Sequence, residues 1–430
     1  MKVTELRVRH FRNLTDSVIY PRPHLNFLIG SNGQGKTSWL EALCYLATLR
    51  SFRDRKVAHV IEWGYLASEI SCNLVLSSGH TGELQPAYTL QDGTGHLRQD
   101  SWSTDLKIHF KWVDPAKNKA IKSAFINEKA YKSSTQYLTQ RFGSVEMGFH
   151  TIIFNPADHD LVRGEPAIRR SYLDQVIAAQ DVEYLKNLQK YNRSLSQRNA
   201  LLKRDGPYTS LDLISGFTDQ MCAFGSELAN ARLRWIKQVN PLVQDILAKI
   251  APEQSPVQMI YCSSWIDDPN LRDLEKLAFK NKHLETVHFA GQGDPGSLEL
   301  LKQSFRAKSS SLEAQERKLG YSLVGPHRDD WKFLLGDQAL NGHGSQGEVR
   351  SALLALKLAE LILFQKATGH RPLFLLDDFS SELDHRRRSF LLQFLSETDL
   401  QTFITTTDDS SLFGNKFWIS KGKVKEGKQE

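Results

Sequence analysis

The sequence predicts an α/β protein whose main sheet is assembled from the two ends of the chain, with a helical middle between them. Three observations carry this. The apolar residues 25–29 run into Gly30-Ser31-Asn32-Gly33-Gln34-Gly35-Lys36-Thr37 and then into a stretch with helix character. This is the strand–loop–helix order in which G-x-x-x-x-G-K-[ST] cradles phosphate. A second apolar strand, residues 373–376, ends on Asp377-Asp378 near the other end of the chain. Between them, residues 182–204 and 217–236 repeat apolar side chains every seven residues, a helical rather than a strand period.

Composition sets the frame. The 430 residues suffice for two or three compact units. With 40% hydrophobic and 24% charged residues the chain reads as an ordinary globular protein. A net charge of +6 permits contact with nucleic acid without requiring it, since a solvated surface slightly rich in Lys and Arg gives the same sum. Cys44, Cys72, Cys222 and Cys262 are scattered, with no C-x-x-C pair, which argues against a zinc site or disulfide framework and points to a reducing cytoplasm. No apolar run reaches the length of a membrane span, and the charged N-terminus lacks the apolar core of a signal peptide.

In chain order, residues 3–9 and 18–20 predict strands, the second ended by Pro21 and Pro23. The phosphate-loop helix follows, with Trp39, Leu40, Leu43 and Leu46 along one side, and runs out into a basic cluster that holds Arg53, Arg55 and Lys56. Residues 68–76, 83–90, 105–113 and 124–127 predict an antiparallel sheet flanking the nucleotide site, with turns at Asp92-Gly93 and Asn118-Lys119. Residues 145–154 and 257–261 read as further strands. In the middle, Leu188, Leu195 and Leu202 form one line, Tyr184 and Tyr191 the next. After the break at Asp205-Gly206-Pro207, Met221, Leu228 and Trp235 line up, as do Phe217, Phe224 and Ala231. Two such helices predict an antiparallel coiled-coil hairpin, while amphipathic helices of an ordinary bundle give the same pattern. Residues 271–317 read as mostly polar helix interrupted by a loop at 291–296. The expected division is a head half at 1–145, a helical arm at 146–320 and the second head half at 321–430.

The motifs complete a site. Residues Gly30 to Ser38 would wrap an anion with backbone N–H groups and aim a helix N-terminus at it. Lys36 would reach the β- and γ-phosphates, and Thr37 would offer its hydroxyl to Mg²⁺. Asp377 would hold the same Mg²⁺, and Asp378 would polarise the attacking water. Phe379-Ser380-Ser381-Glu382-Leu383-Asp384 then follows the acidic pair as in ABC-type ATPases, with Asp384 along the contact between two nucleotide-bound heads. Gly344-Ser345-Gln346-Gly347-Glu348 opens a strongly apolar helix, and Ser345 and Gly347 would form the signature site for a γ-phosphate. Residues 403–408 end in the switch segment. Thr407 takes the position where most ABC ATPases have His, with one register either way left open. A signature that cannot reach its own phosphate loop implies that ATP joins two copies.

These residues, together with Phe11-Arg12-Asn13, Ser51-Phe52-Arg53, Asn155-Pro156-Ala157-Asp158, Gly164-Glu165-Pro166, Arg169-Arg170, Gln197-Arg198-Asn199 and Gly325-Pro326-His327-Arg328-Asp329-Asp330, resemble the RecF family of the SMC-like ABC branch over nearly the whole chain. The resemblance implies an ABC-type ATPase head split by a helical arm with a short coiled-coil hairpin, and places Arg12 in the nucleotide site. It further implies weak DNA-stimulated ATPase activity, ATP-dependent dimerisation, binding to duplex DNA near single-strand gaps, and cooperation with RecR and RecO in loading RecA. Ala157 stands where the family usually has Glu. Asp378 stands where most ABC proteins use Glu, a change the family shares. Arg53, Arg55 and Lys56 are the candidate DNA contacts, against a merely solvated basic run. Two other readings share the phosphate loop. A permease-coupling ABC subunit would have a contiguous head, and a nuclease would need a metal-binding acidic trio that the sequence does not offer. The arm is too short for an SMC filament.

Overall fold

The computed structural model describes residues 1–53, 56–77, 101–115, 117–131, 133–140, 148–266, 295–336, 338–379, 383–408 and 413–425. The expected strand at 83–90, the turn at Asp92-Gly93, Arg55, residues 271–294 and Ser380-Ser381-Glu382 lie outside them. The chain forms two compact units: Met1–Ala157 with Phe364–Glu430, and Asp158–Leu363. These limits differ from the expected division at 146 and 321. Residues 151–154 add a strand to the head sheet, and β10 (Asp330–Leu335) pairs with β9 (Val257–Cys262) and β11 (Gln338–Ala339), which draws the chain on either side of residue 330 into the helical unit.

The first unit holds two sheets. One is antiparallel throughout, in the order β2 (Ser17–Ile19), β1 (Lys2–Arg9), β4 (Ala67–Ser77), β5 (Ser101–Asp114), β6 (Lys119–Ile126), β7 (Lys129–Tyr131). The other runs β15 (Lys423–Lys425), β14 (Asn415–Ser420), β3 (Leu25–Ile29), β13 (Thr402–Thr406), β12 (Leu373–Leu376), β8 (Thr151–Phe154). It is parallel except for the β14–β15 hairpin. Parallel strands covered on both faces read as continuous apolar runs. β12, Leu-Phe-Leu-Leu, is buried at all of its positions.

The helix Lys36–Thr48 is packed into the same apolar core as residues of both sheets, so its apolar side is not a single stripe. Trp39, Leu40, Leu43 and Leu46 are buried, and so are Ala42, Cys44, Tyr45 and Ala47. A helix covered all round is what a layer between two sheets requires. It ends at Leu49 in the left-handed region (φ 55°), whose carbonyl accepts a hydrogen bond from Lys122 Nζ.

In the second unit, helices Val182–Asp205 and Leu211–Ile250 form the expected hairpin, joined by the short turn Gly206–Tyr208. The seam is not a two-helix seam, because a third helix, Pro295–Leu319, packs against the pair. Arg198 and Glu316, both nearly inaccessible, meet at 2.7 Å between the first and third helices. The line Met221–Leu228–Trp235 is buried, and so are Tyr184 and Tyr191, whereas Leu188 and Leu195 are only half-buried. The second helix is longer than the heptads suggest and continues through Pro241. Pro241 is exposed, so the carbonyl it leaves unbonded one turn earlier is on the solvent side.

The Gly325–Asp330 run ties this unit together. Gly325 has φ 124°, and a Cβ there would stand 2.3 Å from Tyr191 Oη. The Pro326 carbonyl accepts from buried Arg232, which also donates to Asp174. Tyr191 Oη bonds His327 Nδ1 at 2.6 Å, Asp329 accepts from Tyr261 and Trp265, and Asp330 takes a two-pronged bond from Arg169. Burial holds the His327 ring down at about 4 and pushes the Asp329 carboxyl up to about 6.

Candidate nucleotide site

Strand order creates the site. The loop strand β3 and the acidic strand β12 are not neighbours; β13 lies between them, with Ile404 beside Phe27 on one side and Leu376 on the other. The loop and the acids therefore leave the same edge of the sheet, one strand apart. A side chain near the end of β13 can touch both. That side chain is Thr405, buried, whose hydroxyl donates to Asp377 Oδ1 at 2.7 Å and accepts from the Asp378 backbone N–H at 2.8 Å. Thr37 Oγ1 donates to the same Asp377 oxygen at 2.8 Å. Asp378 sits at φ 57°, a left-handed conformation that costs a non-glycine residue ~1–2 kcal/mol. The Thr405 hydroxyl helps to hold it there.

The loop is built for close backbone approach. A Cβ at Gly30 would lie 2.3 Å from the Ile419 carbonyl oxygen, and Gly35 has φ 109°. Lys36 is buried at the centre of the loop, its ammonium donating to the carbonyls of Gly30 and Ser31 at 2.6 and 3.0 Å. Burial lowers its pKa, and Asp378 and Asp377 act in the opposite direction. Burial raises the Asp377 carboxyl, while the hydrogen bonds from Thr405 and Thr37 pull it back.

A second layer braces the loop. Asn13 donates to the Gly33 carbonyl at 3.1 Å and accepts from the Ser38 hydroxyl at 2.8 Å. Glu41 is fully buried and accepts from Arg12 at 2.5 to 3.1 Å and from Ser51 at 2.6 Å, with Arg53 at 3.6 Å. Arg12 also donates to the His59 carbonyl at 2.7 Å. One buried carboxylate thus fixes two guanidinium groups on the rim.

A cavity of about 1150 Å³ opens above these groups. Asn32, Gly33, Gly35, Lys36, Thr37 and Ser38 line it from the loop side, and Asp377, Asp378 and Thr405 from the acidic side. Arg12 and Arg53 stand on its wall. It extends to His59, Trp63, Tyr65 and Trp112, a partly aromatic end suited to a flat base.

Most of the residues singled out in the sequence meet here, and a few do not. Gly30 and Ser31 take part through their carbonyls. Gln34 instead accepts from Lys421 N–H and anchors the β14–β15 turn. Arg53, expected among the DNA contacts, lines the cavity, while Lys56 precedes the turn Val57–Val60. Thr407 is exposed beyond β13, whereas Thr405 reaches the acids. Asp384 caps the helix His385–Glu397, accepting from Arg387 N–H at 2.9 Å. Ser345 and Gly347 belong to the second unit. There Ser345 Oγ accepts from Glu348 N–H at 3.3 Å and Glu348 accepts from Ser345 N–H at 2.8 Å, a reciprocal capping box. Thr405, Asn13 and Glu41 were not among the site residues expected from the sequence. Only Asn13 carried a local signal, next to Arg12. Among the described residues no cluster of three His, Cys, Asp or Glu side chains is placed to hold a metal, and no helix is long and apolar enough to cross a membrane.

A parallel sheet that brings a phosphate loop and an acidic pair to one edge, flanked by an antiparallel sheet and interrupted by a helical arm, defines an ABC-type ATPase head of the SMC-like kind. Residues 2–418 match the family described as RecF/RecN/SMC N terminal domain. The protein of Geobacter metallireducens named DNA replication and repair protein RecF is 32% identical over 430 residues, covering 99% of this chain and 99% of its own. Its namesake in Latilactobacillus sakei is 30% identical over 410 residues, 95% of this chain and 92% of its own. A solved structure described as the recombination mediator protein RecF-ATP in the RecFOR pathway has a TM-score of 0.76 at 26% identity, covering 98% of this chain and 96% of that one. The chain belongs to the RecF family.

Proposed function

We propose that this chain is an ATP-driven DNA-binding switch of replication and recombinational repair. The observation that carries the reading is the convergence of Thr37 and Thr405 on one oxygen of Asp377, beside Lys36 and Asp378. A hydroxyl and a carboxylate oxygen at the mouth of a phosphate loop are the hard donors that Mg²⁺ takes when phosphates and water supply its other positions. Thr37 and Asp377 would hold it, and bound there it would neutralise charge on the β- and γ-phosphate oxygens. Lys36 exchanges the Gly30 and Ser31 carbonyls for phosphate oxygens. Arg53, held by Glu41, aims at the nucleotide rather than at DNA. Asp378 accepts a hydrogen bond from the attacking water. It is one methylene shorter than Glu, which fits slow hydrolysis.

The capped helix start at Ser345 and Gly347 would close on the γ-phosphate of a second copy, with Asp384 at the contact, so that ATP assembles a homodimer. DNA bound by the dimer would be duplex next to a single-strand gap. RecR and RecO homologues would act with it in loading RecA in the cytoplasm. The names of the relatives and the RecFOR setting of the solved structure support this reading. The test is ATP hydrolysis with and without gapped duplex DNA, alongside fluorescent-nucleotide binding. Wild type should bind nucleotide and turn over faster with DNA, and Lys36→Ala should lose both. Equal nucleotide binding by Lys36→Ala would overturn the assignment of the site.

A further inference from the structure

The first arm helix, Val182–Asp205, carries a charge pattern that the nucleotide site does not use. Its solvent face exposes Lys186, Lys190, Arg193, Lys203 and Arg204, with Gln197 between them. At about 100° per residue, Lys186, Lys190, Arg193, Gln197 and Arg204 fall within about 40° of one line, and Lys203 lies about 100° to one side of it. From Lys186 to Arg204 that line is about 27 Å long. Its two carboxylates sit at the ends: Glu183 pairs with Lys186 at 2.6 Å and Asp205 with Arg204 at 2.7 Å. Exposed pairs of this kind are weak and exchange readily for another anion. Among the described residues no carboxylate pairs with Lys190, Arg193 or Lys203. The neighbouring helix Leu211–Ile250 exposes mixed signs instead, with Asp212, Asp219 and Asp245 interspersed among Arg234, Lys237 and Lys249. A single-sign stripe on one helix of an otherwise mixed arm is not what average surface charging produces.

We propose that this face of the arm helix is a docking surface for the sugar–phosphate backbone of duplex DNA. The inference rests on the DNA-binding reading above and specifies which surface makes the contact. Charge complementarity selects the occupant. A linear row of cations and amide donors, about one per helical turn and with no large apolar side chain on the line, matches a strand that repeats its negative charge every ~3.4 Å. An apolar-anchored protein partner would find nothing to bury there.

The experiment compares wild type with Lys190→Gln/Arg193→Gln/Arg204→Gln. The change is confined to exposed positions, and Gln is a good helix former. Binding of a fluorescent 30-base-pair duplex is followed by anisotropy with ATP and Mg²⁺ at several salt concentrations. Loss of three phosphate contacts should flatten the slope of log K against log salt by about 2.7 and weaken binding roughly a hundredfold at 0.1 M salt. Arg193→Gln alone should flatten it by about 0.9, which keeps the test open if the triple variant folds poorly. A control, Lys117→Gln/Lys119→Gln/Lys129→Gln, removes the same charge from the antiparallel sheet and should keep the wild-type slope. A wild-type slope in the arm variants would overturn the stripe while leaving DNA binding intact. An equal loss in the control would reduce the effect to bulk charge and overturn it too. Absence of DNA binding by wild type would overturn both this inference and the functional reading beneath it.

Discussion

Thr405→Val removes one hydroxyl from the bridge between the loop and the acids and leaves the shape of the side chain unchanged. Asp377 loses one of its two hydroxyl donors, a hydrogen bond to a carboxylate worth ~1.5–3 kcal/mol. The Asp378 N–H loses its acceptor in a partly buried place, adding ~1–3 kcal/mol. The head unit should therefore lose about 3–5 kcal/mol, a fall on the order of 10 °C in its melting temperature for a unit of roughly 200 residues. Without Thr405 the Asp377 carboxyl, already raised by burial, rises further. Mg²⁺-dependent nucleotide binding needs the ionised form, so it should fail at a higher pH in the variant as pH is lowered. Scanning calorimetry with and without ATP and Mg²⁺, with a pH series of nucleotide binding, reads both effects. Thr405→Ser keeps the hydroxyl and should restore the wild-type pH profile. If Thr405→Val melts and titrates like wild type, the hydroxyl bridge has no role in holding the acidic pair.

Two further outcomes follow from the braces around the site and the arm. Glu41→Ala leaves Arg12 without its buried partner and should cost ~3–5 kcal/mol in denaturant unfolding, whereas Glu41→Gln keeps hydrogen-bond acceptors and should cost less. In the arm, His327 is held neutral at about 4, below its usual 6.5, so its contribution is complete above pH 6.5 and is lost as pH falls toward 4. Asp329 is raised to about 6 from 3.8, so its contribution is complete below pH 3.8 and is lost as pH rises through 6. Each amounts to about 3 kcal/mol and they oppose one another. His327→Gln should therefore leave an arm that gains stability on acidification from pH 6 to 4, and Asp329→Asn one that loses it. Matching pH profiles for the two variants would contradict the assignment.

The local chemistry of the site was legible because it is short-range. Gly30 to Thr37 and Asp377-Asp378 announce themselves by spacing and by the apolar strands that carry them. Long-range placement was not. No sequence period says that β13 lies between β3 and β12, and so Thr405 read as one more strand residue while Thr407 drew attention. Glu41 stands on the helix whose apolar side was read from Trp39, Leu40, Leu43 and Leu46, and nothing in that local pattern marks it as a brace. Its role depends on Arg12 and Ser51 arriving from elsewhere in the chain. The seven-residue repeats located the arm hairpin but could not reveal the third helix against it. The second arm helix runs on past the last heptad and through Pro241, whose lost hydrogen bond faces water. The limits of the units were missed for the same reason: β8 and β10 are short strands whose partners lie far along the chain.

ATP held in the Lys36 cavity would be the joint between two copies. Light scattering of Asp378→Asn on a sizing column, with ATP and Mg²⁺, tests it most directly. A stable species at twice the 48.9 kDa chain mass is expected, absent without nucleotide and absent when Lys36→Ala is added. An Asp378→Asn protein that binds ATP and still elutes at 48.9 kDa would contradict it.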